Sequence, residues 1–243
     1  MTMIQFHDTV GSLVTERPTR ARVFEELGID FCCQGRRTLE QACVDAQLEP
    51  ATAIGALEEH DRRVPASDEP RFAGMGMAEL ADHIEEVHHG YLRSELPRIA
   101  EWTEKLARVH GGRHPWLHEL RDTFASMRTE LDVHMFKEER ILFPMVRELE
   151  GSMDAPVFHR GSVRNPISVM EHEHDDTGAA LARMRELSSG FTPPADACNT
   201  FRATMAALEE LERDLHVHIH KENSILFPEA AAREAELRAV PVG

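Results

Sequence analysis

The sequence predicts an all-α protein: an antiparallel four-helix bundle behind a small N-terminal helical domain. Three observations carry this. Four long stretches, 77–109, 116–149, 166–188 and 195–238, read as helices. Gly111-Gly112 with Pro115, the segment 151–164 and "SSGFTPP" punctuate them. Strand signals are nearly absent. Four helices joined by short or moderate connections bury their apolar stripes by packing antiparallel to one another.

The elements follow in order. From 9 to 63 the chain reads as short helices. In "RPTRARVFEELGI", Ala21, Val23, Phe24 and Leu27 fall near helical spacing and Gly28 stops the run. Thr38 and Gln41 have capping-box spacing ahead of another short helix. The Pro- and Gly-rich "VPASDEPRFAGMG", 64–76, reads as a linker. The domain division expected is therefore 1–63, a linker 64–76, and 77–243.

Composition narrows the function. A formal net charge of -16 in 243 residues argues against holding a nucleic-acid backbone or an anionic membrane by bulk electrostatics. No apolar run approaches the roughly 20 residues that span a bilayer. The start, "MTMIQFHDTVGSLV", has neither a cationic segment nor a long apolar one, so no signal peptide is read. Four cysteines, two of them adjacent, make no disulfide framework at this length, and a reducing cytoplasm is expected. Fifteen histidines are the excess that needs a reason. There is no P-loop, no Gly-x-Gly-x-x-Gly and no sign of Ser-His-Asp chemistry.

A repeated phrase supplies the reason. "VHMFKEERILFP" (133–144) and "VHIHKENSILFP" (217–228) each carry a histidine, a glutamate four residues later, then Ile-Leu-Phe-Pro. Residues four apart on a helix lie about 40° apart around its axis, so His134/Glu138 and His218/Glu222 each aim an imidazole and a carboxylate at one spot. One such pair is usually a helix-face salt bridge. Here the apolar residues beside both pairs imply burial, and buried His and Glu need partners, of which a metal is a good one.

The two copies stand 84 positions apart, and His89 and His174, on the helices that precede them, stand 85 apart. Each half then reads as a helix with one histidine followed by a helix with His-x-x-x-Glu. Four imidazoles and two carboxylates can so converge in the bundle, a set that suits a pair of iron or manganese ions better than a closed structural zinc site. This register leaves His88, His172, His216 and His220 as exposed or partly buried helix residues. Lys137 and Lys221 are expected to be solvated.

On these motifs the chain resembles a known family. The part from about 77 to 238 resembles a hemerythrin-like domain. The whole resembles the iron-sulfur cluster repair di-iron proteins, which carry a vicinal cysteine pair ahead of the bundle, here in "GIDFCCQGRRTLEQAC". The family's "KEExILFP" and "PISVME-EHD" stand here at 137–144 and as "PISVMEHEHD" at 166–175. The resemblance implies His89, His134, Glu138, His174, His218 and Glu222 as ligands of two non-haem iron ions in a carboxylate-bridged centre. It implies roles near the iron, or in its channel, for Glu130 and Glu173. It also implies damaged iron-sulfur proteins as partners. Gln34 stands before Gly35 where many relatives have Gly directly after the cysteines. Oxygen-carrying hemerythrins use more histidine ligands, and the second His-x-x-x-Glu here weighs against that role.

Cys32 and Cys33 are the candidate catalytic residues of the N-terminal domain. Arg36 and Arg37 close behind them are expected to favour thiolate. The pair can form a disulfide, ligate iron, hand electrons to the bundle, or sit as inert thiols. Cys43 and Cys198 read as packing residues. Three function classes result: a cluster-repair protein acting after nitrosative or oxidative stress, an oxygen or nitric-oxide carrier or sensor, and a di-iron nitric-oxide or peroxide reductase. The cysteine domain favours the first over the second. A homodimer bringing each cysteine pair to its own or a neighbouring centre is a further expectation.

Overall fold

A computed structural model describes residues 3–64, 74–154, 156–158 and 161–239; most of the expected linker, 65–73, lies outside them. The N-terminal part is four short helices. Helix α1 (Val10–Glu16) starts at Thr9, whose hydroxyl accepts the Ser12 N–H at 3.2 Å. A 3₁₀ turn, Pro18–Arg20, leads into α2 (Ala21–Leu27), which Gly28 ends in the left-handed conformation at φ 67°. Helix α3 (Leu39–Asp45) begins on the Thr38/Gln41 capping box that its sequence predicts, and α4 (Pro50–Arg63) closes the unit.

Val10, Phe24, Phe31, Leu39, Cys43 and Leu57 form its core. A unit this small buries limited apolar area, and a charged brace adds to it. Buried Arg20 donates from Nε and Nη2 to the Asp61 carboxylate at 3.2 and 2.6 Å, and from Nη1 to Glu16 at 2.8 Å.

Four long rods follow. The first runs through α5 (Met77–His83), a π turn (Ile84–His89) and α6 (Gly90–His110). The second is α7 (Trp116–Lys137), a π turn (Glu138–Leu142) and α8 (Phe143–Gly151). The third is α9 (Arg164–Leu187). The fourth is α10 (Asn199–Lys221), a π turn (Glu222–Leu226) and α11 (Phe227–Ala239). The fourth starts four residues later than expected, because the Ala197 N–H closes a turn on the Pro194 carbonyl first. Among the described residues there is no strand, and no helix is long and apolar enough to cross a membrane.

Two apolar cores divide the bundle. One holds Leu92, Leu96, Phe124, Leu131, Leu181, Phe201 and Leu215; the other holds Leu80, Ile84, Phe143, Val146, Ile167, Leu226 and Phe227. The second core takes the start of the first and third rods and the end of the second and fourth. The rods are therefore antiparallel, as expected, and every rod passes from one core to the other through a shared middle layer.

The Ile-Leu-Phe-Pro tetrapeptides shape that layer. Pro144 and Pro228 have no N–H to offer the carbonyl four residues back. Just ahead of them the backbone widens: the Phe143 N–H bonds to the Glu138 carbonyl, and the Phe227 N–H to that of Glu222, each five residues back. Such π turns mark functional positions in many helices. The third, Ile84–His89, has no proline beside it.

The small domain docks on the fourth rod. Gly11 and Gly35 pack against Ser224, and a Cβ on Gly35 would stand 2.7 Å from the Phe31 carbonyl and 2.9 Å from Ser224 Oγ. Gly35 is thus required for close approach even with Gln34 before it. Ile219 joins the N-terminal core, and the Phe31 ring meets His216 and His220 edge-on.

Candidate metal centre

All six residues expected as ligands come together in the middle layer, and none is more than 3% exposed. They form two donor groups. His134, Glu138, His174 and Glu222 make one; His89, Glu138 and His218 make the other, and Glu138 belongs to both. The facing atoms are Nε2 of His134 and Glu138 Oε1 at 3.1 Å, Nε2 of His89 and Glu138 Oε2 at 3.3 Å, Nε2 of His174 and Glu222 Oε2 at 3.1 Å, and Nε2 of His218 and the same Glu222 oxygen at 3.5 Å.

These atoms fit cations. Among the described residues, all four carboxylate oxygens of Glu138 and Glu222, with Nε2 of His89 and His218, are buried without an aligned hydrogen-bond partner. Two buried carboxylates left this way would cost several kcal/mol each. Nε2 of His134 and His174 are 3.2 Å apart, close to the roughly 3 Å between neighbouring ligands held at about 2.1 Å from one ion.

The electrostatics agree. Burial and Glu222 act to raise the Glu138 pKa, yet His134 and His89 outweigh them and lower it. Glu222 is lowered against burial by His174, His134 and His89. Burial opposes charging His134, but Glu138, Glu173 and Glu222 raise its pKa to about 10. Without a cation, protons must take its place.

Three imidazoles are oriented from behind through Nδ1, which leaves Nε2 for the centre. His134 meets Glu173 at 2.9 Å, His89 meets Glu139 at 2.7 Å and His174 meets Asn223 Oδ1 at 2.9 Å. Glu173 was expected from the resemblance. Among the described residues Glu130 is paired with none of the six; it accepts from the Ser126 hydroxyl at 3.0 Å and lines, with Glu173, His134 and Lys137, a surface cavity of about 370 Å³. Glu139 and Asn223 were missed, although a signal existed: each directly follows the glutamate of a repeat.

The fourth imidazole, His218, is held by His88, and here expectations need correction. His88 and His220 are buried, not exposed or partly buried, and Lys221 is buried at 2% exposure rather than solvated. Lys221 Nζ reaches Nε2 of His88 at 2.6 Å and of His83 at 2.9 Å, while Nδ1 of His88 meets Asp214 at 2.8 Å. Burial lowers the Lys221 pKa to about 8, against the pull of Asp214 and Glu222. His172 is exposed and His216 half-buried, as expected. Lys137 ion-pairs with Glu173.

The cysteines adjoin this centre. Asp30 Oδ1 accepts the N–H groups of Cys32 at 3.0 Å and Cys33 at 2.9 Å. Cys33 Sγ lies 3.4 Å from the His174 carbonyl. Asn223, which accepts from His174, also donates to the Cys32 carbonyl at 3.2 Å. One side chain thus joins the cysteine loop to the centre. The expected thiolate-favouring arginines do not serve: Arg36 pairs with Glu171 and Arg37 with Asp45. The Cys33 hydrogen bond, burial and Asp30 instead push the Cys32 thiol well up. Cys43 packs in the core as expected, whereas Cys198 is exposed, its sulfur 3.4 Å from His110 Nε2.

Antiparallel rods bearing a buried, orphaned His/Glu layer define a cation-binding four-helix-bundle protein. Residues 80–230 match the hemerythrin HHE cation binding domain, and residues 6–61 match ScdA_N, a domain of unknown function. The iron-sulfur cluster repair protein YtfE of Musicola paradisiaca is 39% identical over 93% of this chain and 97% of its own. That of Pectobacterium carotovorum is 37% identical over the same shares, and the repair protein ScdA of Staphylococcus haemolyticus 33% over 93% and 98%. The chain belongs to the hemerythrin family and, within it, to the YtfE/ScdA family of iron-sulfur cluster repair proteins.

Proposed function

We propose that this chain is a cytoplasmic, non-haem di-iron protein that repairs, or supplies iron to, iron-sulfur clusters damaged by nitric oxide or oxidants. The observation that carries the reading is Glu138, shared by two buried donor groups, in a chain whose relatives named above are called iron-sulfur cluster repair proteins.

His134, His174, Glu138 and Glu222 would hold one iron, and His89, His218 and Glu138 the other. Six side chains leave both ions below octahedral saturation. Iron held by carboxylate and imidazole supplies one-electron chemistry and exchangeable metal. The chain's own residues do the rest. Glu173, Glu139 and Asn223 fix which imidazole nitrogen faces inward. The apolar cores on either side keep water from the layer, and the Glu130/Glu173 cavity opens toward His134.

In this reading 1–63 is a redox domain, 64–76 a linker and 77–243 the di-iron bundle. Cys32 and Cys33 are its working thiols, damaged iron-sulfur proteins are its partners, and a homodimer is its assembly. The test is metal analysis followed by mixing with an apo iron-sulfur protein. About two irons per chain and cluster recovery in the client support the reading; one tightly held zinc, or repeated nitric-oxide consumption without client repair, overturns it. A Cys32→Ser/Cys33→Ser variant should keep its iron and lose most repair. Full repair by that variant would leave the bundle as the whole machine.

A further inference from the structure

We propose that Cys32, Cys33 and Asp30 form a separate mononuclear site for a thiophilic divalent metal ion, in the cleft between the small domain and the bundle. Its physiological use, as a sulfur-lined stop for ferrous iron, rests on the repair reading; the site itself stands on geometry.

Neighbouring side chains on an extended chain point to opposite faces. Here one carboxylate oxygen, Asp30 Oδ1, collects the N–H groups of both cysteines at 3.0 and 2.9 Å, and the turn brings the two thiols to the same side. Their sulfurs are 3.7 Å apart. A tetrahedral ion with metal–sulfur bonds of about 2.3 Å spans sulfurs about 3.8 Å apart. Asp30 Oδ1 stands 3.3 Å from Cys32 Sγ, and donor atoms of all three residues lie within 4.8 Å of one another. The free thiols hold their protons, and a bound ion releases them to solvent; two thiolates and a carboxylate then make a donor set for a thiophilic ion, with one position left for water or a client's ligand.

The surroundings leave that position accessible. Cys32 and Cys33 line a cavity of about 350 Å³, with Asp175, His216 and Glu212 also on its walls. Across from Cys33 the bundle presents Gly178, where a Cβ would come within 3.2 Å of the sulfur. Packing alone does not explain two thiols turned together into such a cleft; Cys43, buried in the domain core, shows the packing role. The contact of Cys33 with the His174 carbonyl at 3.4 Å puts the site beside the bundle centre.

The experiment uses the full-length chain with its bundle metals in place, kept anaerobic and titrated with Cd²⁺. Thiolate-to-cadmium charge-transfer absorption and metal stoichiometry are both read. One extra equivalent is expected to bind with the thiolate band. Either single variant, Cys32→Ser or Cys33→Ser, should lose the band with the bundle's visible spectrum unchanged. Asp30→Asn keeps an acceptor for both N–H groups and should weaken binding at least tenfold. No extra equivalent in the wild type, a band that survives in the double serine variant, or unchanged affinity in Asp30→Asn would overturn the site. None of these readings depends on repair, so the site and the repair function can fail separately.

Discussion

His88 stacks in offset fashion on His218, with ring centroids 5.2 Å apart and planes 4° from parallel. The contact exposes an asymmetry in an otherwise two-fold arrangement. In one half Glu173, the residue before His174, orients His134 and pairs with Lys137. In the other half the matching place, before His89, is His88, which stacks on His218 and meets Lys221. Among the described residues His218 Nδ1 has no hydrogen-bond partner, so stacking takes the place of a carboxylate.

His88→Ala should therefore loosen His218 and weaken metal binding by roughly tenfold, the usual cost of losing an outer support. His172→Ala, on an exposed residue, should leave affinity unchanged. Competition with a chelator measures both. Equal affinity in the two variants would remove His88 from the centre's support.

Asn223→Ala should weaken metal binding by about 10-fold to 100-fold, because His174 loses its Nδ1 acceptor. The same change cuts the tether to the Cys32 carbonyl. Faster proteolysis of the cysteine loop should accompany the metal loss. Metal loss with an unchanged cleavage rate would show that the tether does not hold the loop.

His220 should make the domain interface acid-sensitive. Burial lowers its pKa to about 4 from an ordinary 6.5. The unfolded chain therefore takes up the proton first as pH falls, and the stability that neutral His220 contributes is present above about pH 6.5 and lost toward pH 4. Between pH 7 and pH 5 this amounts to about 2 kcal/mol. A His220→Gln variant should keep its metal and show a correspondingly flatter fall in urea stability over that range. A slope equal to the wild type's would refute the assignment.

Asp61→Ala should unfold the small domain while sparing the bundle. It leaves the buried Arg20 guanidinium with Glu16 as its remaining carboxylate partner, and removing one partner of a buried pair costs about 3 kcal/mol or more. Circular dichroism in urea should show an early transition of the N-terminal helices, with bundle metal content retained. A single unshifted transition would contradict this.

Much of the site was legible in sequence because its logic is local. Helical period places His134 over Glu138 and His218 over Glu222, and the 84- and 85-residue offsets align two halves whatever their environment. Gly28 and the Thr38/Gln41 box act within a few residues, so they could be read in the same way. "HVHIHKE" shows where that ends. Positions 216 and 220 share one face of the fourth rod and 218 and 222 the other, but only docking decides that the first pair meets Phe31 and the second the metal layer. Lys221 looked solvated because nothing in its neighbourhood along the chain announces His83 and His88, more than 130 residues away. Arg36 and Arg37 looked like thiolate partners because nearness in sequence was mistaken for contact, and their carboxylates lie elsewhere. Periodicity assigns a residue to a face; the partner that face meets is set by long-range packing, and burial and pKa follow from that partner.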